Sequence, residues 1–343
     1  MKNMQFKRKL PIPQEIKEQY PLTEALAAVK AGRDSAIRDV FTGADNRKVL
    51  IVGPCSADRE DAVLEYCHRL AGLQEQVKDK LILIPRVYTN KPRTTGEGYK
   101  GLLHQPDPQQ GSDLLEGVIA IRRLHTNVLA QTGLSTADEL LYPNDYRYLS
   151  DLLSYVTVGA RSVENQEHRL TASGISVPVG MKNPTSGNLS VMLNAIVAAQ
   201  NPHSFIYRGW EVETCGNDLT HAILRGYMNK HGRLLPNYHF EDLEFLYREY
   251  SGRQLKNMAL IVDANHANSG KDPRNQPRIC KEVLHSCRHS EEVGGMVKGF
   301  MIESYLEEGC QTIGEGVYGK SITDPCLGWA DTERLVLDIA DLV

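Results

Sequence analysis

The residues able to do chemistry stand where short apolar runs stop. Cys55 follows Val49-Leu50-Ile51-Val52 across a Gly53-Pro54 turn. Arg86 ends the run that begins at Leu81, with Lys91 and Arg93 just beyond it. Arg161 closes the segment from Val156, and Lys182 the one from Val177. His266 and Glu303 end the runs that begin at Ala259 and Gly295. Polar residues scattered over a surface do not halt successive apolar strands in this way. The pattern implies one shared cavity at the carboxyl ends of parallel strands.

These side chains fall into two chemical classes. Arg86, Lys91, Arg93, Arg161 and Lys182 are cations. Gathering five of them in a low-dielectric mouth is costly unless anions occupy it, so phosphates or carboxylates are the expected ligands. The competing reading is a set of salt bridges to Glu97, Glu139 and Glu164. The second class is Cys55, His266, Glu303 and a carboxylate of the 305–328 loop, for which Asp324 is the choice. Thiolate, imidazole and two carboxylates suit a divalent transition metal: Mn, Fe, Co or Zn. The long separations lack the tightness of a local metal motif, and a Cys–His dyad for acyl transfer is the other account.

The elements that must position these residues read as strand–helix repeats. Strands are expected near 49–52, 81–88, 135–141, 156–161, 177–183, 205–207, 259–266 and 295–304. Helices of 10 or more residues follow most of them, including one at 145–154 after Pro143. Apolar strands alternating with helices imply parallel pairing and right-handed crossovers. Eight units predict an α/β fold of the (β/α)8 barrel type, and Gly53-Pro54-Cys55 is not the glycine-rich turn a dinucleotide-binding sheet needs. Residues 1–45 are expected to form an N-terminal arm and helices with oligomer contacts, and residues 46–343 the catalytic barrel.

Composition narrows the function. The 343 residues carry 39 Lys plus Arg against 43 Asp plus Glu, a net charge of −4, which argues against nucleic acid as a partner. Seven cysteines without a CxxC pair fit reduced thiols in the cytoplasm. No run is long and apolar enough to cross a membrane, and the basic N-terminus lacks a signal peptide's apolar core.

Longer motifs carry a resemblance. They are Gly53-Pro54-Cys55-Ser56, Lys91-Pro92-Arg93-Thr94-Thr95, Gly159-Ala160-Arg161, Pro178-Val179-Gly180-Met181-Lys182-Asn183, Leu224-Arg225-Gly226, His266-Ala267-Asn268-Ser269 and Tyr318-Gly319-Lys320-Ser321-Ile322-Thr323-Asp324. From about residue 12 to 340 the chain resembles class I 3-deoxy-D-arabino-heptulosonate 7-phosphate (DAHP) synthases of the feedback-regulated type. The resemblance implies a metal-dependent barrel that condenses phosphoenolpyruvate with erythrose 4-phosphate, the entry to the shikimate pathway. It implies Cys55, His266, Glu303 and Asp324 as metal ligands, with Lys91 and Lys182 also in the catalytic set. It implies Arg86, Lys91, Ala160, Arg161, Lys182 and Arg225 around phosphoenolpyruvate, with Glu139 lining the same pocket. Arg93 and Thr94 match the aldose-phosphate site, and a homodimer or homotetramer is implied. A related synthase using another aldose phosphate is the alternative. The chain departs from the pattern at Asn265, where serine is common, and in a 95–99 loop with one extra residue. Its 208–224 region is shorter than in the regulated members, where an extra hairpin helps form the effector pocket, so inhibition of the usual type is not implied.

Overall fold

A computed structural model describes residues 3–93, 95–253 and 255–343. Eight parallel strands form the barrel, at Lys48–Gly53, Leu81–Pro85, Thr136–Glu139, Leu153–Val158, Val179–Lys182, His221–Leu224, Leu260–Asp263 and Val297–Glu303. The first strand pairs with the second and the eighth. A parallel bridge between Arg86 and Ala137 joins the second and third strands and closes the ring, with the Val87 N–H donating to Ala137 O at 2.9 Å. The expected (β/α)8 barrel is therefore present.

Period-two alternation sorts the strand side chains. Val49, Ile51, Ile82 and Ile84 pack inside the barrel, while Leu50, Val52, Leu81 and Leu83 pack against the surrounding helices. The helix Glu24–Thr42 is capped by the Thr23 hydroxyl and runs unbroken through Gly32. Its Ile37, Val40 and Phe41 join the inner cluster and plug the amino-terminal end of the barrel. The Phe41 ring lies 4.4 Å from that of His221. The opposite, carboxyl end is thereby the one left open.

Two expectations need correction. The run Phe205-Ile206-Tyr207 is not the sixth barrel strand. Ser204–Tyr207 pairs antiparallel with Trp210–Glu213 in a short outer hairpin, where Ile206 and Trp210 are exposed. Aromatic and β-branched residues favour any extended pairing, so propensity did not separate hairpin from barrel. The sixth strand is His221–Leu224, all four residues buried. The expected helix at 145–154 is only a 3-10 turn, Tyr146–Tyr148, because the fourth strand already begins at Leu153.

His221 inside the barrel gives a titration with a defined sign. Its Nδ1 lies 2.8 Å from Leu219 O, and its Nε2 lies 2.7 Å from the Tyr155 hydroxyl. Burial lowers its pKa from 6.5 to about 4. The unfolded chain then binds the extra proton between those values, so this contribution is intact above pH 6.5 and is lost as pH falls toward 4. The full loss is about 3 kcal/mol. Imidazole NMR is expected to show His221 neutral at pH 5.5. A midpoint near 6.5 would contradict the buried neutral ring.

Candidate active site

Every barrel strand delivers a polar side chain to the open end. Glu139, Lys182 and Glu303 are the last residues of the third, fifth and eighth strands. Arg86 and Arg225 come directly after the second and sixth, and Cys55, Arg161 and His266 follow the first, fourth and seventh within three residues. The cavity, of about 280 Å³, is lined by Cys55, Arg86, Lys91, Arg93, Glu139, Ala160, Arg161, Lys182, Arg225, His266 and Asp324. Glu303 sits behind this lining, 1% exposed. Asp324 comes from the loop before the last helix, after the short strand pair Glu307–Cys310 and Lys320–Ser321. Thr94 lies outside the described residues.

Missing side chains at two glycines allow this convergence. A Cβ on Gly53 would overlap the Arg86 carbonyl oxygen, and one on Gly159 would overlap the Glu139 carboxylate. His266 adopts a left-handed backbone, φ 52°, an unfavourable conformation of the kind that persists at sites where surrounding contacts enforce it.

The cations do not pair with Glu97, Glu139 or Glu164. Arg86 meets Glu303 at 2.9 Å and covers the Tyr88 ring at 3.8 Å. Lys182 meets Asp263 at 3.0 Å. Lys91 lies 2.6 Å from Cys55 Sγ and 3.2 Å from Asp324. Among the described residues Arg93, Arg161 and Arg225 have no carboxylate within 4.0 Å. Lys271 lies 3.9 Å from Asp324, so four paired and three unpaired cations face one cavity, which is the charge pattern of a site for anionic ligands.

The same fields set the protonation states. Burial pushes the Cys55 thiol up, Glu303 adds to that, and Lys91 opposes it. Burial also favours protonated Glu303, but Arg86, His266 and Lys91 outweigh it and hold the carboxyl below its usual range. Asp324 is held down likewise, by Lys91, His266 and Lys271 against the effect of burial. Burial lowers His266, keeping the imidazole neutral at neutral pH despite Asp263 and Glu303.

Cys55, His266, Glu303 and Asp324 fit a divalent metal in donor type: one sulfur, one nitrogen and two carboxylates. They stand as two neighbouring pairs. Cys55 Sγ is 3.5 Å from Asp324 Oδ2, and His266 Nε2 is 3.7 Å from Glu303 Oε1. Glu303 Oε1 is buried and already engaged by the Arg86 guanidinium at 2.9 Å, outside in-line hydrogen-bond geometry. His266 Nδ1 faces Asp263 at 2.8 Å, which directs Nε2 away from the carboxylate, the usual arrangement behind a metal-bound histidine. Sequence reasoning missed Asp263, and met Asn265 only as a departure from the family pattern, without its contact to Glu303. Their partners Lys182 and Glu303 are 81 and 38 positions away, and no spacing signal links them.

The Arg86–Glu303 pair yields a stability test. Both side chains are nearly inaccessible, at 2% and 1%. Arg86→Met leaves a buried uncompensated carboxylate and is expected to destabilise the metal-free protein by about 3–5 kcal/mol. Urea unfolding checks this, and Arg86→Met/Glu303→Gln should recover more than half of the loss. Unchanged stability in the single variant would mean that the pair is solvated.

Comparison with known proteins agrees with this geometry. The DAHP synthetase I family matches residues 16–337. The Phe-sensitive phospho-2-dehydro-3-deoxyheptonate aldolase of Escherichia coli is 38% identical, over 99% of this chain and 95% of that protein. The corresponding aldolase of Haemophilus influenzae is 39% identical, over 96% of this chain and 91% of its own. The solved structure of phospho-2-dehydro-3-deoxyheptonate aldolase from Francisella tularensis superposes with a TM-score of 0.92 at 30% identity, covering 99% of this chain and 98% of that one. The chain belongs to the DAHP synthetase I family.

Proposed function

We infer that the protein condenses phosphoenolpyruvate with D-erythrose 4-phosphate and water, giving 3-deoxy-D-arabino-heptulosonate 7-phosphate and phosphate, the first step of the shikimate pathway. The observation that carries this is a single mouth holding seven cations beside a sulfur–nitrogen–oxygen donor set, in a chain whose family match spans nearly its whole length. Arg86, Lys91, Arg161, Lys182 and Arg225 hold phosphoenolpyruvate, with Ala160 and Glu139 at the same pocket wall. Arg93 and Thr94 take the aldose phosphate. The unpaired guanidiniums of Arg161 and Arg225 are free to bind oxyanions bidentately, whereas Lys91 and Lys182 act as point charges already in place. Two substrates that repel each other are thus brought together by fixed positive charge.

Cys55, His266, Glu303 and Asp324 would hold Mn, Fe, Co or Zn, which as a Lewis acid polarises the aldehyde carbonyl. C3 of the enol forms the new bond to the aldehyde carbon, water adds at C2, and phosphate leaves with cleavage of its C–O bond. Lys91, 3.2 Å from Asp324, is placed to keep that carboxylate ionised. No described helix is long and apolar enough to cross a membrane. A homodimer or homotetramer is the expected assembly, consistent with exposed Phe6 on the arm and Trp210 on the hairpin.

A phosphate-release assay with a panel of the four metals tests the reaction. Release is expected only with both substrates and metal present, and its absence from metal-loaded protein would sink the assignment. Cys55→Ala is expected to lose metal affinity and turnover by more than about 100-fold while keeping a native circular dichroism spectrum, since it removes a ligand. Full activity in that variant would refute Cys55 as a ligand.

A further inference from the structure

We propose that Asn265 is a positioning residue for Glu303, holding Oε2 so that the carboxylate keeps Oε1 turned toward His266 Nε2 and would be oriented to serve as a ligand. The Asn265 amide nitrogen donates to Glu303 Oε2 at 2.5 Å. Ser269 fixes the amide from its other side, the hydroxyl donating to Asn265 Oδ1 at 2.7 Å. An ionised carboxylate accepts only, so the orientation is forced: the NH2 group must face Glu303 and the carbonyl oxygen must face the serine. The Asn265 backbone N–H is held in turn by Asp263 Oδ1 at 3.1 Å. Asn265 and Ser269 are 2% and 5% exposed, so water does not compete for these bonds.

The consequence is a carboxylate with two unlike oxygens. Oε2 is occupied by the amide. Oε1 faces Arg86 at 2.9 Å and His266 Nε2 at 3.7 Å and is buried without an in-line hydrogen bond. The eighth strand supplies Glu303, but its direction is set from the end of the seventh strand, which also carries His266. One short segment therefore places one metal ligand and aims another. This inference rests on the reading of Glu303 as a metal ligand.

Titration calorimetry of Mn(II) into the metal-free protein tests it. Asn265→Ala is expected to weaken binding about 10–100-fold, the usual cost of losing such a supporting partner. The melting temperature of the metal-free variant should stay within a few degrees of wild type, whereas a purely structural role would lower it and spare the affinity. Ser269→Ala, which only loosens the amide, should weaken binding in the same direction by a smaller factor. The visible spectrum of the cobalt-loaded Asn265→Ala protein should differ from wild type, reporting altered coordination. Affinity within twofold of wild type in Asn265→Ala overturns the proposal, as does wild-type affinity in Ser269→Ala if the alanine variant at 265 does not fold. Wild-type affinity in Glu303→Gln instead overturns the underlying assignment of Glu303.

Discussion

The buried pair of Arg86 and Glu303 is the constraint around which the site is built. Each ion would be far too costly to bury alone, and each is almost wholly inaccessible. They come from the second and eighth strands, which flank the first, so the pair spans the first strand's end. Gly53 makes the crossing possible, because any side chain there would meet the Arg86 backbone. With Arg86 anchored, also through Pro54 O, the turn that leads to Cys55 has a fixed course. The sulfur, the carboxylate and the guanidinium are thus parts of one assembly.

Around that assembly charge is distributed unevenly. Carboxylates neutralise the cations deepest in the barrel, and the guanidiniums nearer its rim lack acidic partners among the described residues. A protein with net charge −4 can thereby carry a strongly positive mouth. The acids serve two ends here. They make burial of Arg86 and Lys182 tolerable, and Asp263 and Glu303 also orient or complete the donor set.

Much of this was legible in the sequence, because barrel strands announce themselves as apolar runs and their carboxyl ends are where polar residues begin. Cys55, Arg86, Lys182, His266 and Glu303 were found in that way. Arg225 was not found at a strand end, because Phe205-Ile206-Tyr207 was read as the sixth strand in place of His221–Leu224. The true strand is short and opens with a histidine whose polarity masks its burial. Asp263 and the contact made by Asn265 were invisible for another reason. A polar residue inside an apolar run has meaning only once its partners are known, and those partners come from other strands.

The helix that plugs the barrel has a consequence for how the chain reaches this state during synthesis. Glu24–Thr42 and the first strand are made long before Val297–Glu303, the first strand's second neighbour. Until those later segments are made, one edge of that strand is open, and the apolar side of Phe41 lacks the His221 ring that later covers it. Closure of the ring must await a partner about 250 residues further along the chain, a contact of very long sequence separation and so a slow one. The growing chain therefore carries exposed strand edge and apolar helix face together, the combination that chaperones protect.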